Sequence, residues 1–309
     1  MKIIVTGANG FIGRNLSLEL IEKGYSLTLV DLQNMPHTDF ASKEIDYVKA
    51  GEFLERFDSY AQPNDVVFHQ GAISNTKEKD LALLLELNYQ YTMDLISKCA
   101  KQGVDLIYSS SASVYGNSAK TDETSDDYSP LNLYAWSKLL VDKKVRKILI
   151  SFHSSKLIGF RYFNVYGPRE SEKLNMASPI TQFSLQFKNS RSCTVFKSSF
   201  HKKQVTRDFV FVGDVVKVLI WSMSHLQSGI YNLGSGSSLS FADIATEVQK
   251  HFPDSMILEK EFPKELLDGY QGSTLSANSL LNLQGCPIIF ESIDTGIAKT
   301  LDYLGIKDD

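Results

Sequence analysis

Cysteine is scarce in this chain: there are three, Cys99, Cys193 and Cys286, far apart and without a CxxC pair. That excludes a disulfide scaffold and leaves no thiol cluster spaced to hold zinc or run dithiol exchange. Reduced thiols in a cytoplasmic protein are expected, and the run Met1–Gly7 enters a structural motif so directly that no leader is expected before it. No uninterrupted apolar stretch reaches the roughly 18 residues of a membrane span, so no membrane partner is expected. Positive charge is not in surplus, with 32 Lys and Arg against 36 Asp and Glu and a net charge of −4. Nucleic-acid binding draws on a concentrated basic excess, and no nucleic-acid partner is expected. Internal repeats and linkers rich in Gly, Ser or Pro are also missing, which excludes solenoids and loosely tethered modules. What is there is the composition of a globular protein, 43% hydrophobic and 22% charged over 309 residues. That length suffices for one large or two intimate domains.

The first half alternates short apolar runs with helical periodicity, the pattern of a parallel sheet covered by helices on both faces. Strands are predicted at Lys2–Val5, Ser26–Val30, Asp65–His69 and Val104–Ser109, with a helix over Phe11–Lys23. Across Asp80–Lys101, Leu84, Leu87, Tyr91, Leu95 and Cys99 recur at three and four residues and predict one amphipathic helix. A helix at Leu133–Ser151 and a strand at Lys156–Tyr162 follow, ending at the Gly167-Pro168 breaker. The alternation then loosens. Helices are predicted at Ser178–Phe187, Ser240–Phe252 and Ile293–Leu304, a strand and helix within Arg207–Met223, and a strand at Gly229–Leu233. A smaller lobe packed on the first, with a cleft between them, is expected.

Gly7-Ala8-Asn9-Gly10-Phe11-Ile12-Gly13 follows the first strand and opens the first helix. There glycine permits a tight turn and close backbone approach, while the helix N-terminus offers N–H donors to a pyrophosphate. Asp31, at the end of the second strand and 18 residues beyond Gly13, is placed to accept from an adenosine ribose 2′-OH. Its carboxylate favours NAD, whereas Arg14 next to Gly13 offers a charge-assisted contact to the 2′-phosphate of NADP. The choice stays open at this stage. Gln70-Gly71-Ala72 predicts a second close backbone approach beneath the cofactor.

Tyr134 and Lys138 stand at i and i+4 of a predicted helix and project from one face. A free phenol has a pKa of about 10; a neighbouring ammonium is expected to draw it into useful range as the acceptor of a hydroxyl proton during hydride transfer. Ser109-Ser110-Ser111 ends the preceding strand, where the Ser111 hydroxyl can hydrogen-bond the same substrate oxygen.

Together these residues resemble the extended short-chain dehydrogenase/reductases of the NAD-dependent epimerase/dehydratase superfamily. The family marks TGxxGxxG, SSxxxYG, YxxxK and RDFxxVxD read here as Thr6–Gly13, Ser110–Gly116, Tyr134–Lys138 and Arg207–Asp214. Within that group the chain resembles the ADP-L-glycero-D-manno-heptose 6-epimerases over nearly its whole length, including Asn88–Tyr91, Gly159–Glu170, Met176–Ser178 and Gly269–Gln271.

The resemblance implies a Rossmann-type doubly wound parallel sheet at 1–167 and a smaller mixed α/β substrate-binding lobe at 168–309, with 207–235 returning to the first. It implies epimerisation of an ADP-heptose at C6″ through a transient ketone, for lipopolysaccharide biosynthesis, in a homo-oligomer. NADP is the implied cofactor, with NAD compatible, although Leu32–Ser42 lacks the lysine that helps bind the 2′-phosphate. Phe11, Ile12, Leu32, Asn88 and Val165 join the cofactor residues by the same resemblance. Lys173, nine residues beyond Asn164, matches a second acid/base that serves the inverted face. Ser74, Asn164, Asn175, Gln182, Arg207 and Tyr270 are implied to face substrate, Arg207 through diphosphate oxygens. Gln182 and Asn175 stand where the family often has histidine and serine. The 197–204 segment, with Lys202 and Lys203, is longer than usual.

A UDP-hexose 4-epimerase uses the same triad and is the first alternative. A 4,6-dehydratase needs an acid and a base beside the serine, where Ala112 and Ser113 supply no carboxylate; Thr121-Asp122-Glu123 falls in a predicted loop. A non-catalytic dinucleotide-binding protein would typically have lost the tyrosine or lysine, and both are present.

Overall fold

A computed structural model describes residues 1–41, 43, 45–118, 121–149, 155–197, 205–261 and 271–306. Within them the chain forms two compact units. The first comprises Met1–Val114, Asn132–Arg161 and Val216–Tyr231, and the second Tyr115–Leu131, Tyr162–Val215 and Asn232–Asp309.

The first unit runs β1 (Ile3–Thr6), α1 (Phe11–Glu22), β2 (Leu27–Asp31), β3 (Asp46–Lys49), α2 (Ala50–Glu55), α3 (Phe57–Tyr60) and β4 (Val66–His69). It continues through α4 (Leu81–Leu84), α5 (Tyr91–Gln102), β5 (Asp105–Ser111), α6 (Leu133–Ile148) and β6 (Leu157–Tyr162). Ile3, Ile4 and Val5 are fully buried, as β-branched residues are in a central strand covered on both faces. The seven-stranded sheet has the order β10-β6-β5-β4-β1-β2-β3, with β10 spanning Gly229–Leu233. Its pairs from β3 to β5 are all parallel. The chain winds outward from β1 to β3 and returns at β4, so the strand order reverses between β1 and β4. In open α/β sheets such a reversal leaves a crevice at the carboxyl ends of the two strands.

Two departures from expectation shape that crevice. The single helix predicted over Asp80–Lys101 is instead α4 and α5 joined by a six-residue π-helical turn, Leu85–Gln90. Leu84, Leu95 and Cys99 stay fully buried, while Leu87 and Tyr91 line a cavity. Strand β3, which the apolar pattern does not announce, is an edge strand in which Val48 alone is buried.

The second unit holds β7 (Asn164–Tyr166), α7 (Pro179–Ser190), β8 (Ser192–Phe196) and β9 (Thr206–Phe211), after which α8 (Val212–His225) passes from the second unit to the first. Beyond β10 come β11 (Ser238–Ser240), α9 (Phe241–Gln249), β12 (Met256–Lys260), α10 (Ser279–Leu283) and α11 (Ile293–Tyr303). A three-stranded sheet, β11-β9-β7, and a parallel pair, β12-β8, enclose a core around Phe183, Phe187, Phe209, Ile244 and Ile297. Helix starts are capped locally: the Ser178 side chain accepts from Thr181 N ahead of Pro179, and Ser240 and Asp243 form a reciprocal box.

The expected bounds 1–167 and 168–309 shift accordingly. Tyr115–Leu131 belongs to the second unit because Asn232 holds it: the Tyr115 hydroxyl donates to Asn232 Oδ1 at 2.7 Å, and Glu123 Oε1 accepts from Asn232 N at 3.3 Å. The returning segment is 216–231 rather than 207–235, since β9 pairs with β7 and β11. Among the described residues, no helix is long and apolar enough to cross a membrane.

Candidate active site

The glycine loop lies at the carboxyl end of β1 against the segment that follows β4. Gly7 has a φ of +69° and packs so closely on Gly71 that a Cβ there would overlap the Gly71 nitrogen and Cα; a Cβ on Gly13 would overlap the Gly7 carbonyl. These contacts exclude side chains at the predicted places and bring main chain to the rim of a cavity of about 220 Å³. Its lining includes Gly7, Gly10, Asp31, Leu32, Gln70, Gly71 and Ala72, all expected at a dinucleotide site, with Phe11 and Ile12 outside it. Helix α1 begins at Gly10, with no side-chain cap and no acidic residue in its first turn. Its first N–H groups therefore suit an anion. The close glycine approach and the uncapped helix fit a dinucleotide pyrophosphate.

His69, which the sequence shows only as the end of an apolar run, organises the floor of this cavity. Its Nδ1 lies 2.6 Å from Thr6 Oγ1 and its Nε2 2.9 Å from Thr92 Oγ1. Thr92 already donates its hydroxyl proton to the Asn88 carbonyl at 2.8 Å. Thr92 therefore accepts from His69 Nε2–H, and with the ring neutral Thr6 donates to Nδ1. Burial, with a smaller contribution from Lys138, lowers the His69 pKa from 6.5 to about 3. The unfolded chain takes up this proton below pH 6.5 and the folded one only near 3. Stability should therefore fall across that window by up to about 1.4 kcal/mol per pH unit from this group. Denaturant melts at pH 6.5, 5.5 and 4.5 should show a shallower acid loss for His69→Gln than for the parent. Equal slopes would remove His69 as the cause.

Asp31 is held in place by main chain: its carboxylate accepts from Asn9 N at 2.9 Å and Leu32 N at 2.8 Å. With roughly four lone-pair sites it retains capacity for a ribose hydroxyl. Arg14, read as a candidate for a 2′-phosphate, is 1% exposed and pairs with Asp39, Nε to Oδ2 at 3.6 Å.

Ser111 at the end of β5 and Tyr134 and Lys138 on α6 come together as predicted. Asn132 caps α6 by accepting from Ala135 N at 2.9 Å, which sets the start of the helix and the phase of its buried face. Ser111 Oγ accepts from Ser113 N at 3.2 Å, and its side chain lies close enough to Tyr134 to act on the phenol. The phenol differs from expectation: burial raises its pKa, the Ser111 hydroxyl lowers it, and burial prevails. Lys138 instead donates to the Ser109 carbonyl at 2.9 Å. Its own pKa falls to about 8, lowered by burial against the opposing pull of Asp142.

Asn88, implied as a cofactor ligand, has a different place. Its Oδ1 accepts from Ile73 N at 2.8 Å, and its amide donates to Ile73 O and Ser137 Oγ, each at 3.0 Å. Both amide protons are thereby used, and this fully buried side chain ties the cavity wall to the helix carrying Tyr134. Asp142, one turn beyond Lys138, was not foreseen. It accepts from Arg161 Nε at 2.7 Å and the Tyr108 hydroxyl at 3.0 Å, locking α6 to β6 and β5.

The implied substrate residues divide. Ser74 lies in the loop after β4 of the first unit. In the second, Asn164 is half-buried on β7 beside Val165, the implied cofactor residue, and the exposed Asn175 lies with Lys173, the implied acid/base, on a 3₁₀ turn, Ser171–Met176. Lys173 acts electrostatically on Glu170, whose carboxyl is raised by burial and pulled back by Lys173 and by hydrogen bonds from Ser178 and Thr181. Gln182 on α7 donates to the Ala177 carbonyl at 2.6 Å. Arg207 is 7% exposed and donates to the carbonyls of Thr206, Gln271 and Gly272, so it anchors the 271–272 main chain where a diphosphate contact was expected. Tyr270, with Lys202 and Lys203, lies outside the described residues.

Solved structures share this architecture end to end. The Helicobacter pylori ADP-L-glycero-D-manno-heptose-6-epimerase superposes with a TM-score of 0.83 at 25% identity, over 99% of this chain and 96% of that one. The Thermus thermophilus UDP-glucose 4-epimerase, solved with NAD, gives 0.81 at 23%, over 99% of each chain. The Methanobrevibacter ruminantium UDP-N-acetylglucosamine 4-epimerase gives 0.84 at 21%, over 98% and 97%. Residues 3–234 match the sequence profile of the NAD dependent epimerase/dehydratase family. With the glycine cradle, the reversal between β1 and β4 and the Ser111–Tyr134–Lys138 cluster in one unit, the chain belongs to that family.

Proposed function

We propose that this protein is an epimerase of nucleotide sugars and that its substrate is ADP-D-glycero-D-manno-heptose, inverted at C6″ to the L-glycero epimer. The observation that carries the reaction type is the gathering of Ser111 and Lys138 at the buried Tyr134 phenol on α6, in the same unit as the glycine-lined cavity. Gly7, Gly10, Gly13 and Asp31 would hold a nicotinamide dinucleotide. When bound and oxidised, that group supplies a hydride acceptor and one positive charge, which favours ionisation of a buried phenol nearby. Tyr134 takes the hydroxyl proton as the carbinol carbon loses hydride, Ser111 donates to the developing ketone oxygen, and Lys138 stabilises the phenolate. With the dinucleotide bound, hydride returned to the opposite face would invert the centre.

For the second proton transfer the reading assigns Lys173, supported by its match to the heptose-epimerase pattern. Lys173→Ala is expected to lose most interconversion of the two heptose epimers while its circular dichroism and melt stay unchanged; unaltered interconversion removes it from the mechanism. The substrate is tested by incubating the protein separately with ADP-D-glycero-D-manno-heptose and UDP-glucose and resolving the epimers chromatographically. Conversion of UDP-glucose alone would replace the heptose reading with a 4-epimerase. A homo-oligomer is proposed as the working state, checked by light scattering.

A further inference from the structure

We infer that this chain selects NAD over NADP, and that Asp39 is the residue that sets the choice by holding Arg14 away from the ribose end of the cavity. The inference rests on the dinucleotide reading of the site and concerns one atom group within it, the 2′ position of the adenosine ribose. Three observations carry it.

The first is the charge of the lining. Asn9, Leu32, Gln33, Ala50 and Tyr91 line the cavity together with Asp31, and no Lys or Arg appears among the described residues that line it. His69, the remaining basic side chain there, is buried and neutral. A 2′-phosphate would bring about −2 charge beside the Asp31 carboxylate with no compensating cation, whereas a 2′-hydroxyl can donate to that carboxylate. Lys49, the register partner of Asp31 on β3, is exposed and outside the lining.

The second is the position of Arg14. It follows the last glycine of the loop and is the nearest arginine in sequence to the phosphate cradle, yet it is 1% exposed and does not line the cavity. Its partner Asp39 sits on a single 3₁₀ turn, Thr38–Phe40, in the connection from β2 to β3.

The third is how that turn is secured. Asn9, inside the glycine loop, accepts from His37 N at 2.8 Å and donates to Gln33 Oε1 and Met35 O, each at 3.0 Å. His37 in turn caps the 3₁₀ turn, its Nδ1 accepting from Asp39 N at 3.1 Å. Asn9, His37, Asp39 and Arg14 thus form a relay from the glycine loop through the 33–39 segment and back to α1. The loop that would have to open for a 2′-phosphate is pinned to the loop that holds the pyrophosphate.

The test is calorimetric titration of the full chain, stripped of retained cofactor, with NAD and with NADP, backed by the melting-temperature shift each produces. The parent is expected to bind NAD at least tenfold more tightly. In Asp39→Asn, or Asp39→Ser should the first fold poorly, freeing Arg14 should tighten NADP about tenfold and leave NAD within about twofold. Adding Arg14→Met to either should cancel the gain. Parent binding of NADP as tight as NAD overturns the inference. So does a folded Asp39 variant whose NADP affinity is unchanged, or a gain that survives loss of Arg14. Binding of neither dinucleotide would instead overturn the dinucleotide reading beneath it.

Discussion

Tyr134→Phe should lower turnover by roughly 10²–10⁴-fold, the range contributed by a positioned acid or base, with cofactor affinity changed by no more than about twofold. The substitution removes one oxygen from a side chain whose ring is already buried, and helix α6 keeps its Asn132 cap and its Asn88 and Asp142 ties. What is lost is the phenol oxygen, the proposed proton acceptor for the substrate hydroxyl. Burial holds this phenol above its ordinary range, so the residue alone is a weak base near neutrality. Its activity should therefore depend on positive charge supplied nearby. Lys138, with a pKa of about 8, carries that charge below pH 8 and loses it above. The activity of the parent should accordingly decline on the alkaline side of that value. Near-normal turnover by the phenylalanine variant, measured with cofactor bound, would exclude Tyr134 from proton transfer.

Asp142→Asn should cost about 3–5 kcal/mol, because it removes the carboxylate that pairs with the buried Arg161 guanidinium. Arg161 is fully buried and Asp142 nearly so, and their bond at 2.7 Å joins α6 to β6. Against a total stability of about 5–15 kcal/mol for a folded domain, such a loss brings the chain near unfolding at ordinary temperature. The double variant Asp142→Leu, Arg161→Met removes both charges and should recover most of the loss, since buried ion pairs are often replaceable by apolar side chains. Denaturant titration of the single and double variants measures this directly. A single variant within about 1 kcal/mol of the parent would show that the pair does not hold α6 in place. The same substitution removes the carboxylate that raises the Lys138 pKa, so the alkaline limb of activity should move to lower pH in any Asp142→Asn enzyme that folds.

The parts of the site that were legible in the sequence are those whose chemistry is local. Gly7, Gly10 and Gly13 are read from their spacing after an apolar strand, and the structure places each where a side chain would collide or where a helix starts uncapped. Tyr134 and Lys138 are four residues apart on one helix, and Ser111 ends the strand before it. What escaped the sequence depends on pairings far apart in the chain. His69 meets Thr6 across 63 residues and Thr92 across 23. Asn88 reaches Ser137 across 49. Asp142 meets Tyr108 and Arg161 from two different strands.

Arg14 illustrates the same limit from the other side. Its place after the third glycine suggested a phosphate ligand, and only the fold shows Asp39 beside it. The fold class was legible because β1, β2, β4 and β5 are continuous apolar runs. Strands β3, β8 and β12 were not: the first is a half-exposed edge, and the last two form a separate pair among the described residues, with Phe196, Met256 and Leu258 exposed.

The central claim is that a stereocentre is inverted by removing and returning a hydride. The most direct test uses ADP-D-glycero-D-manno-heptose carrying deuterium at C6″, followed by mass analysis of the purified L-glycero epimer. The account predicts an inverted product that keeps its deuterium, because the label leaves and returns as hydride without meeting solvent. A product in which deuterium has been replaced by solvent hydrogen, or no conversion at all, would contradict it.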